Sequence, residues 1–289
     1  MERKIIKVIS VGGLGDVLLC TPSFKALKEK HPHSKIIVYA RKKDRDVFDN
    51  NPFIDKLAGT FFLPDPERYF RRDPSKRNKF IVPLYGSLMP SLYYRKNATE
   101  IIAEYFDVEL KDKNVQVYLT EKEDEKAVKE LKKYKTPVIM HITSIFSRNQ
   151  MWPLSNWVDL VRQMPDCTFL QVGSSEEDKV EGAIDLRGKT TFREGLALLK
   201  HSASFVGVVS SFSHATNAFN IPGVVLFGPS TPLIWGHDNN INLFRDMRCS
   251  PCVDVLANAV CPYGKICVDS ITVEEVRTGL TRQLQKRTK

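Results

Sequence analysis

Three short segments hold residue types whose spacing could do chemistry. The first, Gly12-Gly13-Leu14-Gly15-Asp16, follows the apolar run Lys4–Val11 and opens a stretch with helical spacing. Glycines let a backbone approach a ligand, and a helix N-terminus offers unpaired N–H groups to an anion. One reading makes Gly13 and Gly15 part of a ligand-binding turn, with Asp16 at the carboxyl edge of a sheet. The other makes it a tight turn in which Asp16 caps the helix. A dinucleotide fingerprint is excluded: G-x-G-x-x-G begun at Gly13 needs glycine at Leu18, and the second strand ends in Ala40-Arg41 rather than an acid. A Walker lysine is missing too.

The second segment runs from Ser211 to Trp235 (SFSHATNAFNIPGVVLFGPSTPLIW). Ser210, Ser211 and Ser213 open a helix after one apolar run, and Gly228-Pro229-Ser230-Thr231 follows the next. Two hydroxyl-rich turns at neighbouring strand ends would cradle a pyrophosphate, since such crevices lie at the carboxyl ends of parallel strands. The alternative is that these hydroxyls only cap helices and His214 is a core histidine. The third segment packs Cys249, Cys252, Cys261 and Cys267 into nineteen residues. A C-x2-C knuckle supplies two thiolates at once to a tetrahedral ion. Zn²⁺ or an iron centre, two disulfides and free thiols are the three readings; a reducing cytosol disfavours the disulfides. Cys20 and Cys167 read as core. Asp44-Arg45-Asp46 matches the D-x-D pattern of metal-dependent sugar transfer, but its charge-rich surroundings (RKKDRDVFD) read as a solvated face. Asp65-Pro66-Glu67 reads as a turn.

The elements that must position these residues alternate along the chain. Lys4–Val11 reads as a strand, Val17–Lys30 as a helix, Lys35–Ala40 and Phe80–Leu84 as strands, and Glu121–Tyr134 as a charged helix. After Thr136-Pro137 the alternation resumes, with strands at Val138–His141, Thr168–Val172, Phe205–Val209 and Gly223–Phe227. Helices are expected at Leu154–Met164, Phe192–His201 and His214–Phe219, with Val273–Gln285 closing the chain. Strand–helix–strand repetition implies parallel sheets in an α/β fold. Two open-sheet halves are expected, 1–135 and 136–289. Arg68–Lys79, with six basic residues in twelve, reads as a surface loop.

Composition narrows the class. The 289 residues are 42% hydrophobic and 27% charged, ordinary for a globular chain of one or two cores. No apolar run approaches the roughly 20 residues of a spanning helix. The start lacks a signal-peptide core, so a cytoplasmic protein is expected. Net charge of +9 favours an anionic partner: nucleic acid, a phosphate-bearing substrate or an anionic membrane surface. The basic residues are scattered with no aromatic ladder, which argues against nucleic acid.

Taken together, GGLGDVLLCTPSFKALK (12–28), NPFID (51–55), WPLSNW (152–157), DLRGKT (185–190), SHATNAFNIP (213–222) and LFGPSTPLIWG (226–236), followed by CSPC, resemble glycosyltransferase family 9, the ADP-heptose:lipopolysaccharide heptosyltransferases. The matches run in family order over nearly the whole chain. The resemblance implies a GT-B architecture, two Rossmann-like domains facing across a cleft. The first would lie on the acceptor side and the second would bind the nucleotide-sugar. It implies inverting transfer of a sugar, heptose from ADP-heptose, without a catalytic metal. Asp16 matches the family's general base. Thr143 and Ser144 match a hydroxyl pair that contacts phosphate. Gly173 with Glu176 or Glu177 matches a region near the nucleoside, and Ser211, Ser213 and His214 match the pyrophosphate side.

Two departures stand out. Val209-Ser210-Ser211 replaces the family's usual aspartate before that turn, and no lysine precedes the W-P motif, where Arg148 or Gln150 stands. Arg148 alone could supply the cation. The cysteine set resembles a subset of the family that heptosylates bacterial autotransporters and binds iron through four cysteines. A lipopolysaccharide-core glycan or a protein is therefore the expected acceptor. The competing expectation is a catalytically inactive nucleotide-sugar-binding protein.

Overall fold

The computed structural model describes residues 4–59, 81, 96–252 and 259–287. The chain forms two compact units, Met1–Tyr118 and Leu119–Lys289. In the first unit β1 (Ile5–Ile9), β2 (Lys35–Ala40) and β3 (Lys56–Gly59) pair in parallel in the order β1-β2-β3. On the other edge of β1, Ile9 N–H donates to the Ile81 carbonyl (2.9 Å) and Ile81 N–H to that of Lys7 (2.8 Å). The rest of the strand expected at Phe80–Leu84 lies outside the described residues, as do Arg68–Lys79 and Asp65-Pro66-Glu67.

The helix expected over Val17–Lys30 is two: α1 (Leu14–Leu19) and α2 (Thr21–Lys30). Pro22 sits at the start of α2, where its missing N–H is tolerated but a continuous helix is not. The Leu18 carbonyl is taken instead by the Thr21 hydroxyl (2.6 Å). A 3-10 turn (Lys42–Asp44) leads into α3 (Arg45–Phe48), and α4 (Ala98–Tyr105) follows. Phe24 of α2 meets Phe48 and Phe106 edge to face, at 5.6 and 5.4 Å between centroids, and closes the core.

The second unit contains α5 (Glu121–Leu131), β4 (Pro137–His141), α6 (Leu154–Gln163), β5 (Thr168–Gln171), β6 (Ile184–Asp185), α7 (Phe192–His201) and β7 (Ser204–Val208). It continues with α8 (Ser211–Ala218), β8 (Gly223–Phe227), α9 (Pro232–Trp235), β9 (Asn240–Phe244), α10 (Ile266–Asp269) and α11 (Val273–Arg287). Its six strands are all parallel in the order β6-β5-β4-β7-β8-β9. This doubly wound order reverses between β4 and β7, where such sheets open a crevice at the strands' carboxyl ends. Trp152 and Trp157 of the WPLSNW segment stack edge to face (4.8 Å) in the core, and Trp152 Nε1–H donates to the Ile271 carbonyl just before α11 (2.8 Å).

The boundary expected at 135 falls earlier, after Tyr118. Helix α5 belongs to the second unit because its acidic face pairs with α7: Glu123 with Arg193 (2.5 Å), and Asp124 with Lys200 (2.7 Å) and His201 (2.8 Å). The charge pattern of α5 is visible in the sequence; the basic partner some seventy residues on is not.

Candidate functional site

In the first unit the turn after β1 is built around Asp16. Gly12 has φ +88°, and a Cβ there would lie 2.5 Å from Asp16 Oδ2, so only glycine fits. Gly13 N–H donates to that same oxygen (2.7 Å), while Gly15 lies in the first turn of α1. Asp16 therefore does cap its helix, yet only through Oδ2; among the described residues nothing donates to Oδ1. Burial pushes its carboxyl above the ordinary range, against the pull of the Gly13 N–H and of Arg41. A half-buried carboxylate with a raised proton affinity, and with one oxygen that no described residue engages, is equipped to take a proton.

Asp44 is not the solvated residue that its charge-rich surroundings imply. It is fully buried, accepts a hydrogen bond from Ser10 Oγ (2.7 Å), and takes both Arg41 Nε (2.8 Å) and Nη2 (3.0 Å). Nothing local in the sequence says that this aspartate is buried, because Ser10, thirty-four residues earlier and just past β1, is brought to it only by folding.

In the second unit the predicted residues lie on the segments following β4 and β5 and in the first turn of α8 after β7. After β4, Ser144 accepts from the Gln150 amide (3.3 Å), whose oxygen in turn accepts from Ser230 Oγ after β8 (2.9 Å). Gln150 is buried and Arg148 exposed. After β5, Gly173 has φ +141°, and a Cβ there would collide with Glu177 Oε2 at 2.5 Å. Glu177 Oε1 accepts from Ser174 N–H (2.8 Å) and lies 3.6 Å from His141 Nε2. Burial opposes the charge on Glu177, but His141, Ser174 N–H and Thr143 outweigh it and hold its carboxyl below the ordinary value. Glu176 is exposed and its carboxylate accepts only from Ser175 Oγ (3.2 Å) among the described residues, so of the two glutamates Glu177 is the one whose side chain is built into the fold. Among the described residues His141 Nδ1 is buried without a hydrogen-bond partner. A buried polar atom left so costs about 1–3 kcal/mol, and this one fits a polar ligand that completes it.

After β7, Ser210 and Ser213 cap α8 reciprocally. Ser210 N–H donates to Ser213 Oγ (2.9 Å) and Ser213 Oγ donates to the Ser210 carbonyl (2.8 Å). Ser211 is half-buried at the first position of the helix. His214 is buried, its Nδ1 3.0 Å from Nε2 of His237. Burial, then the neighbouring imidazole, lowers the affinity of His214 for a proton, and burial pulls His237 down to about 4. Both are neutral at pH 7. His237 carried no sequence signal; it is a lone histidine that only folding brings to His214.

The cysteine loop is tied to the same edge, with Cys252 N–H donating to the Pro229 carbonyl and Ser250 Oγ to that of Gly228 (both 2.8 Å). The four thiols are free and close enough to act on one another, and burial raises Cys267 to about 11. The expected metal ligand set is nevertheless not assembled: among the described residues no three His, Cys, Asp or Glu side chains converge to hold an ion. Cys267 is held by α10, buried in the core, while Cys249 and Cys252 follow the loop after β9. No described helix is long and apolar enough to cross a membrane.

Two Rossmann-like α/β units, with glycine- and hydroxyl-rich turns following the parallel strands, are the GT-B fold of many glycosyltransferases. Family comparison then names the group: the chain belongs to glycosyltransferase family 9 (heptosyltransferase), whose pattern matches residues 95–261, more than half of it. No curated protein matches the sequence. Among solved structures, the fold is similar to a family 9 glycosyl transferase from Veillonella parvula (16% identity, TM-score 0.73, 98% of this chain and 97% of that one). It is also similar to E. coli ADP-heptose lipopolysaccharide heptosyltransferase II (16%, 0.72, 99% and 100%). A third is the dodecameric iron-containing heptosyltransferase TibC of enterotoxigenic E. coli, solved with ADP-D-β-D-heptose (15%, 0.71, 98% and 76%).

Proposed function

We propose that the chain is an inverting heptosyltransferase that uses ADP-heptose, with Asp16 as general base. The second unit binds the donor: Thr143, Ser144, Ser211 and Ser213 on the diphosphate side, His214 beneath it, and Gly173 with Glu177 at the nucleoside. Arg148 is the cation for the phosphates. Asp16 takes the proton from an acceptor hydroxyl. That oxygen bonds to the anomeric carbon as the bond to the diphosphate breaks, and ADP leaves with the electron pair. Without a catalytic metal, N–H groups, hydroxyls and Arg148 carry the developing charge.

The observation that carries this reading is the half-buried Asp16 carboxylate, seated by Gly12 and Gly13 with one oxygen that no described residue engages. Asp16→Ala should cut transfer by roughly 10²–10⁴-fold while ADP still binds. Turnover close to the parent's would remove Asp16 as the base. For the donor, ADP-heptose should raise the melting temperature where GDP- and UDP-sugars do not; at 100 times Kd the gain is about 2.7 kcal/mol.

The acceptor in this reading is a lipopolysaccharide-core glycan in the cytoplasm at the membrane surface. A protein acceptor is the alternative, suggested by the four cysteines, and each acceptor can be tested directly with labelled donor. A structural iron or zinc ion on Cys249, Cys252, Cys261 and Cys267 belongs to the same reading. The C-x2-C spacing and the nearness of the thiols favour it, although an ion would have to draw them together. About one metal per chain, lost in Cys252→Ser, is expected on elemental analysis; a metal-free parent protein would dismiss it. A second reading, an inactive nucleotide-sugar-binding protein, is favoured by Val209 and by the neutral Gln150 bridging Ser144 and Ser230 where a lysine was expected. Release of ADP from ADP-heptose by the purified protein would dismiss that one.

A further inference from the structure

We propose that Arg41 is the positioning residue of the Asp16 site: clamped by buried Asp44, it aims the Gly12–Gly13 peptide and sets a positive charge beside the carboxylate. This rests on the reading of Asp16 as base. Parallel pairing of β1 with β2 aligns the two strand ends, with Ser10 N–H donating to the Tyr39 carbonyl (3.0 Å). Asp44 has no exposed side-chain surface, and its carboxylate meets Ser10 Oγ and the two guanidinium bonds at 2.8 and 3.0 Å. A bidentate fork of this kind leaves the guanidinium little freedom. Its Nη2 also donates to the Gly12 carbonyl.

That carbonyl and the Gly13 N–H belong to one planar trans peptide, so holding the oxygen aims the N–H the opposite way. The Gly13 N–H is the group that holds Asp16 Oδ2, at 2.7 Å. Gly12 is in the left-handed region, where a peptide without an anchor could turn over readily. Asp44, Arg41, the 12–13 peptide and Asp16 thus form one chain of hydrogen bonds. Among the described residues Arg41 is the charged group that acts on Asp16, and Asp16 and Asp44 both act on the buried Cys20 thiol. Most charges on α2 and α4 pair elsewhere: Lys28 with Asp55, Glu29 with Lys111, Lys30 with Asp107, Glu100 with Lys113 and Glu104 with Lys96.

The test is an NMR titration of the Asp16 carboxylate together with Gly13 amide exchange in the full-length protein, for Arg41→Gln and Arg41→Lys. In Arg41→Gln the Asp16 midpoint should move to higher pH and the Gly13 amide should exchange faster. Turnover of ADP-heptose should fall roughly a hundredfold with the Kd for ADP unchanged. Arg41→Lys keeps the charge but not the fork, so its midpoint should stay near the parent's while Gly13 exchange remains fast. That variant carries the exchange measurement should Arg41→Gln not fold. An unmoved midpoint and parental exchange in the folded variants would overturn the proposal. Turnover that survives Asp16→Ala would instead remove the base reading, and the NMR measurements would still decide whether Arg41 governs Asp16.

Discussion

At the scale of single residues, Gly12 shows most sharply how backbone and chemistry share one position. Alanine there meets two penalties: a left-handed φ that costs a non-glycine residue about 1–3 kcal/mol, and a Cβ 2.5 Å from Asp16 Oδ2. Gly12→Ala should therefore lower turnover by displacing the carboxylate, with ADP affinity, which the reading gives to the other unit, unchanged. Kinetics beside calorimetric ADP binding checks this. The His214–His237 pair makes a different prediction. Both imidazoles take protons more readily unfolded than folded, so the pair's stability is complete above about pH 6.5. It is lost as pH falls toward the folded value of about 4 for His237. The loss for His237 is on the order of 3 kcal/mol by pH 4. His237→Asn should flatten the acid-side fall of the melting temperature between pH 7 and 4; a slope equal to the parent's would refute neutral pairing.

At the scale of elements, α5 depends on both its ends and its face. Thr120 Oγ accepts from Glu123 N–H (3.3 Å) and the Glu123 carboxylate from Thr120 N–H (2.7 Å), a capping box that the sequence T-x-x-E displays openly. Thr120→Ala should cost about 1 kcal/mol. Glu123 also takes the Arg193 guanidinium, which holds its carboxyl down to about 2. Because the folded value lies below the unfolded one, this contact stabilises at neutral pH and fades as pH drops from about 4.3 toward 2. Arg193→Ala should remove that part of the acid dependence in a denaturant titration, whereas a surface arginine such as Arg162 should not.

At the scale of the whole molecule, the division after Tyr118 has a practical consequence. The second unit holds its own six-stranded sheet, and its core, centred on Trp152, Trp157, Phe169 and Val224, is contributed wholly by residues after 118. The 119–289 segment expressed alone should unfold in one cooperative transition and should keep its affinity for ADP while losing transfer. A segment begun at 136 should be less stable, because it leaves Arg193, Lys200 and His201 without Glu123 and Asp124. Equal melting temperatures for the two segments would show that α5 contributes nothing.

Much of this was legible without coordinates. Parallel α/β units follow from apolar runs alternating with amphipathic ones, and most second-unit elements begin or end within three residues of where periodicity puts them. Asp16 and the hydroxyl-rich turns stand out because glycine and serine cluster where strands end, and burial in parallel sheets leaves a strong local imprint on composition. The short strands β6 and β9, the break between α1 and α2, and the membership of α5 left fainter marks, since two to five residues hold little periodicity and helix packing is chosen by distant partners. The clamp on Asp44, the preference for Glu177 over Glu176, and the meeting of His214 with His237 were decided by tertiary structure alone. Each depends on which side chain ends up buried beside which, and charge in a sequence looks the same whether water or a guanidinium will surround it.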